Sequence, residues 1–121
     1  PDMLDGEYFE GRSATLLEEY GYRILARRYR CRGGEIDLVA HNLHQLVFVE
    51  VRARRSRRFG GAAASVSRAK QGKLARCAAL FRGRHPQWQH LPCRFDVIAW
   101  DRRENGCCEA QWIAGAFEAR S

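Results

Sequence analysis

The chain has 121 residues, 45% hydrophobic and 29% charged, which fits one domain over 1–121 with its own core and leaves no room for two ordinary domains. Its longest apolar runs, at 46–49, 77–81 and 97–100, are too short for a membrane-spanning helix, and the polar start PDMLDGEYFEGR lacks a secretory-signal pattern. Nineteen arginines and two lysines against 14 acids give a net charge of +7, unevenly spread as −5 over residues 1–20, +13 over 21–100 and −1 over 101–121.

Residues 5–20 read as a helix: Asp5 can cap it, Tyr8, Phe9, Leu16, Leu17 and Tyr20 recur at helical spacing, and Gly21 ends it. YRILARRYRC (22–31) reads as a strand, and Arg32, Gly33 and Gly34 turn the chain into a second, GEIDLVA (34–40). HQLVFVEVRAR (44–54) is the strongest strand signal and is apolar on both faces, the pattern of a strand central in its sheet. Residues 54–65, RRSRRFGGAAAS, combine four arginines with a Gly-Gly pair and no periodicity, which reads as a mobile basic loop. A helix follows at about 66–82, with Leu74, Cys77, Ala78 and Phe81 on one side. After RHPQWQHLP come a strand, CRFDVIAW (93–100), a turn at Asn105-Gly106 and a short last segment near 111–117. The order helix, three strands, helix, strand predicts an α/β or α+β domain with a mostly covered, central mixed β-sheet flanked by helices.

Five cysteines (Cys31, Cys77, Cys93, Cys107, Cys108) form no CxxC pair. With no export signal they read as reduced thiols of a cytoplasmic protein. The four histidines do not join them at zinc-ligand spacing.

The basic block of residues 21–100 holds only four acids, and all four fall on predicted strands: Glu35, Asp37, Glu50 and Asp96, each beside Ile, Leu, Val or Phe. A buried carboxylate needs a cation, hydrogen bonds or a metal. Glu50 and Arg52 are two apart and share a strand face, and Asp37 can stand beside them on a neighbouring strand. Glu10, Ala14 and Leu17 share one helix face, so Glu10 can join the pair. Carboxylates gathered without matching cations hold a hard ion such as Mg²⁺. The same acids can instead pair with Arg52, Arg30 or Arg94, and the residues alone leave both readings open.

At these positions the chain resembles the uncharacterised bacterial YraN-like family. The resemblance rests on Glu10, Gly21-Tyr22, Ile24-Leu25, Gly34-Glu35-Ile36-Asp37-Leu38 and Leu46-Val47-Phe48-Val49-Glu50-Val51. It continues through Phe59-Gly60, Lys70-Gln71, Leu74, Arg94-Phe95-Asp96-Val97-Ile98 and Ala116-Phe117. It implies the restriction-endonuclease-like, PD-(D/E)XK fold and a layout similar to that of Holliday-junction resolvases. It further implies that Asp37 and Glu50 are metal ligands for Mg²⁺ or Mn²⁺, with Glu10 completing the site. Where that pattern carries a catalytic lysine, this chain has Arg52, which can neutralise transition-state charge but is too basic for proton transfer. Lys70, on the second helix, can supply the missing ammonium from another direction or simply be solvated, and Gln71 can orient a phosphate or face solvent.

The function expected first is therefore a Mg-dependent endonuclease acting on DNA, branched or damaged DNA included, with Glu10, Asp37, Glu50 and Arg52 as its catalytic set. Arg54, Arg55, Arg57, Arg58, Arg68, Lys70, Gln71, Lys73 and Arg76 would hold the nucleic acid, mainly through phosphates, and Phe59 is a candidate wedge. Junction-type activity implies a homodimer with two sites. The alternative is a catalytically degenerate nucleic-acid binder, to which the Arg52 departure points. A membrane-surface module ranks below both, because the basic residues form no amphipathic helix with bulky apolar anchors.

Overall fold

The computed structural model describes residues 2–54, 66–102 and 105–118. Five strands form one sheet in the order β1-β2-β3-β4-β5: β1 Arg23–Cys31, β2 Gly34–His41, β3 Leu46–Arg54, β4 Cys93–Arg102 and β5 Cys108–Phe117. Helix α1 (Asp2–Glu19) precedes β1, and α2 (Arg68–Arg84) joins β3 to β4. The pairs β1–β2, β2–β3 and β4–β5 are antiparallel, whereas β3–β4 is parallel, as a helical crossover requires. The predicted mixed sheet flanked by helices is thus the observed one, with β3 in the middle.

Gly21, in the left-handed region at φ 89°, stops α1. Its amide donates to the Glu18 carbonyl and that of Tyr22 to the Leu17 carbonyl, both at 3.0 Å, the paired bonds of a glycine-terminated helix. α1 starts at Asp2, ahead of the expected Asp5. The last segment, expected to be short and near 111–117, is a strand from Cys108 because β5 pairs along most of β4.

The alternation of β3 divides the core between the two helices. Val47 and Val49 pack under α1 with Phe9, Ala14, Leu17, Leu38, Ala40, Ile98 and Trp100. Leu46 and Phe48 pack under α2 with Leu74, Cys77, Ala78 and Phe81, the four residues read as its inner side. Burying Phe48, Phe81 and their neighbours contributes roughly 1.5–3 kcal/mol for each large side chain.

One expectation is corrected. Cys31, at the end of β1, and Cys77, in the middle of α2, form a disulfide, with Cα atoms 5.6 Å apart; only Cys93, Cys107 and Cys108 are free thiols. α2 lies across the first hairpin and brings together two cysteines 46 residues apart, a meeting that no local spacing announces. Among the described residues, no helix is long and apolar enough to cross a membrane.

Candidate active site

The site is a gap in the sheet. β2 and β3 pair only from His41↔Leu46 to Leu38↔Val49; beyond that β3 continues beside β4 alone, from Glu50↔Val97 to Arg54↔Asp101. Side-chain alternation in β2 breaks at the same place. Ile36 packs with the α2 cluster, while Leu38 packs with the α1 cluster, although residues two apart on a regular strand share a face. Asp37 sits at this break. Its Oδ2 accepts the amide of Val51 at 2.8 Å, satisfying a ladder donor that would otherwise be orphaned.

Glu50, 4% exposed, faces Asp37 across the gap, close enough to act on its carboxyl. Burial, reinforced by Glu50 and by the charge of Glu10, pushes the Asp37 carboxyl up to about 8 against the lowering pull of the Val51 amide. At neutral pH Asp37 therefore holds its proton. No cation among the described residues pairs with Asp37. Glu50 has two: Lys70 Nζ at 3.2 Å and Arg52 Nη2 at 3.4 Å from its Oε2. Neither meets hydrogen-bond geometry, so this buried oxygen and the Arg52 Nε both end without a hydrogen bond.

The third predicted carboxylate stands apart. Glu10, 9% exposed on α1, lines a cleft of about 280 Å³ with Asp37, Val51, Arg28, Arg30 and Glu35. Its Oε2 is taken by Arg28 Nε at 3.2 Å. Among the described residues no three His, Cys, Asp or Glu side chains are gathered closely enough to hold a metal. The donor set nevertheless suits a hard divalent cation: the buried Glu50 carboxylate, the half-buried Asp37 carboxyl that burial and Glu50 hold above its ordinary range, and an oxygen without a hydrogen bond.

Comparison with known proteins gives the family. Residues 9–100, which include Glu10, Asp37, Glu50, Arg52 and Lys70, match "Uncharacterised protein family UPF0102". The chain belongs to UPF0102. A UPF0102 protein of Xanthomonas axonopodis pv. citri (strain 306) is 52% identical over 114 residues, covering 94% of this chain and 91% of the relative. One of Janthinobacterium sp. (strain Marseille) is 43% identical over 97% of this chain and 89% of its own length. Another, of Pseudomonas putida (strain GB-1), is 42% identical over 93% of this chain and 92% of its own. These matches agree with the YraN-like, restriction-endonuclease-like resemblance read from the residues.

In this UPF0102 chain the remaining predicted residues separate. Lys70, expected either in the site or in solvent, is in the site. Arg68, Lys73 and Arg76 are exposed on α2. Gln71 spends its Nε2 on the Val66 carbonyl at 3.0 Å and lines, with Arg68, Gly72, Phe117 and Glu118, a cavity of about 520 Å³. Arg54 closes β3, whereas Arg55, Arg57, Arg58, Phe59 and the rest of the predicted basic loop lie outside the described residues.

The ion-pair reading holds for three of the four strand acids, Glu50 with Arg52 and Lys70 among them. Asp96, fully buried, takes both Arg94 Nε and Nη2 at 2.8 Å, Trp112 Nε1 at 2.8 Å and the Gly115 amide at 2.9 Å. Glu35 pairs with Arg30 at 3.6 Å. Sequence reasoning missed Arg28, since its position opposite Asp37 appears only once β1 and β2 are in register between Arg27↔Leu38 and Tyr29↔Ile36.

Proposed function

We propose that this UPF0102 chain is a nucleic-acid-binding endonuclease of the restriction-endonuclease-like fold, cutting DNA phosphodiesters with Mg²⁺ or Mn²⁺ held by Asp37 and Glu50. The observation that carries the reading is the Asp37–Glu50 pair at the strand gap, with the Lys70 ammonium 3.2 Å from Glu50. When bound, the ion supplies Lewis-acid charge at the phosphodiester and makes water a better nucleophile at neutral pH. Asp37 releases its proton as the site fills, and Val51 keeps the carboxylate oriented through its amide. Lys70 brings from α2 the ammonium that the strand pattern places at Arg52. Arg52 stays charged and stabilises the pentavalent phosphoryl group without exchanging protons. The exposed Arg68, Lys73 and Arg76 and the arginines of residues 54–58 grip phosphates, which gives affinity without sequence reading.

The likeness to junction resolvases makes branched or damaged DNA the first substrates to try, and a homodimer the assembly that cutting a junction calls for. Purified protein should cut at least one of a panel of duplex, nicked and branched DNAs when Mg²⁺ or Mn²⁺ is present, and Asp37→Asn or Glu50→Gln should abolish the cut. Cleavage surviving in both variants overturns the assignment.

A second reading, nucleic-acid binding without cleavage, is favoured by one feature: two cations within 3.4 Å of Glu50 already balance its charge. Steeply salt-dependent binding that is untouched by Asp37→Asn, with no product at any divalent concentration, selects it.

A further inference from the structure

Arg28 is the sole non-glycine residue with positive φ, 51°, among those described. L side chains rarely adopt this conformation, and folds retain it where the aim of a side chain is used. The register around it sets Arg28 opposite Asp37, and from there its guanidinium reaches up to α1. Nε lies 3.2 Å from Glu10 Oε2, and Nη2 lies 3.3 Å from Glu7 Oε1. The two ends of the Arg28–Glu10 pair differ in exposure: the Arg28 side chain is 41% exposed and that of Glu10 only 12%. The cation can therefore exchange partners with something arriving from solvent, while the acid stays where it is.

We propose that Arg28 is a positioning residue that latches the third carboxylate, and that a phosphate of the bound nucleic acid releases it. A phosphate offers the guanidinium the same forked, charge-assisted hydrogen bonds as a carboxylate. When Arg28 moves to the phosphate, Glu10 is left charged and nearly buried in the cleft it shares with Asp37, where it needs another cation. A divalent ion between Glu10, Asp37 and Glu50 meets that need, so nucleic acid and metal favour each other's binding reciprocally. The latch also accounts for the absence of a ready-made three-carboxylate group among the described residues. The inference rests on the metal reading given above and adds to it the device that withholds one ligand until substrate is present.

Calorimetric titration of the full chain with Mn²⁺ in the absence of nucleic acid tests it. Arg28→Gly suits the positive φ and should keep the melting temperature. It should bind Mn²⁺ about five-fold tighter than the wild type, the factor expected for losing a competing ion pair of this exposure. Arg28→Lys, which keeps the charge, should match the wild type, and adding Glu10→Gln to Arg28→Gly should cancel the gain. A phosphorothioate DNA duplex should tighten Mn²⁺ binding by the wild type to a similar extent and leave Arg28→Gly unchanged. If the wild type takes up Mn²⁺ through Asp37 and Arg28→Gly binds no tighter, the latch is wrong and the metal reading stands. If neither protein takes up Mn²⁺ at all, both fall.

Discussion

Lys70 Nζ stands 3.2 Å from Glu50 Oε2, so the ammonium at the candidate site comes from the first turn of α2 and not from strand β3. Twenty residues of chain, including the predicted basic loop, separate the two, and only the parallel crossover brings them together. The Ser67 side chain caps α2 by accepting the Lys70 amide at 3.1 Å, which fixes where the lysine leaves the helix.

It follows that Lys70 and Arg52 are unequal partners of Glu50. Lys70→Met should lower single-turnover DNA cleavage by about 10²- to 10³-fold, the usual loss for one charge-stabilising group, while Arg52→Lys should retain cleavage. Full activity in Lys70→Met would remove the lysine from the mechanism.

Asp37 gives a pH signature. Its carboxyl titrates at about 8 in the folded chain against an ordinary 3.8, so the folded state holds the proton more tightly. The stability this group contributes is complete below about pH 4 and is lost as pH rises through about 8. Thermal melts of metal-free protein should therefore fall across that window, and Asp37→Asn should flatten the decline and melt higher at pH 8. An unchanged slope in Asp37→Asn would place its origin elsewhere.

Asp96 should behave in the opposite way. Arg94, Trp112 and Gly115 satisfy it completely, and removing it strands a half-buried guanidinium and an indole N–H. Asp96→Ala should cost about 3–5 kcal/mol in urea unfolding, with no effect on divalent-ion stabilisation of whatever fraction remains folded. A loss below about 1 kcal/mol, the worth of an exposed pair, would contradict this assignment.

The disulfide is countable. Denatured without reductant, the protein should show three reactive thiols, Cys93, Cys107 and Cys108, out of its five cysteines. Cys77→Ser should destabilise the oxidised protein by about 2–4 kcal/mol. Five thiols before reduction would return Cys31 and Cys77 to the reduced state expected from the sequence.

Much of the architecture was legible in the sequence because local patterns agree with the fold. The two-sided apolar run of β3, Gly21 behind α1 and the inner face of α2 each name their own environment. So did the oddity of four acids on strands inside a basic block, which led to Asp37 and Glu50. What was not legible depends on register and crossover. The break in β2 that turns Asp37 into the gap, the approach of Lys70 from α2, the Cys31–Cys77 bridge and the capture of Glu10 by Arg28 all join residues at least 18 apart or require a broken alternation. The spacing of Glu10, Ala14 and Leu17 correctly set Glu10 on the buried face of α1, but no helical pattern could say that an arginine of β1 would reach it first.

The most direct measurement is equilibrium Mn²⁺ binding, followed by electron paramagnetic resonance, on the wild type, Asp37→Asn and Glu50→Gln, each first shown to be folded. The structure predicts saturable uptake at one site in the wild type and its loss in both variants. Saturable uptake that persists in Asp37→Asn and Glu50→Gln, or none in the wild type with or without DNA, would contradict the claim that these two carboxylates together hold the cation.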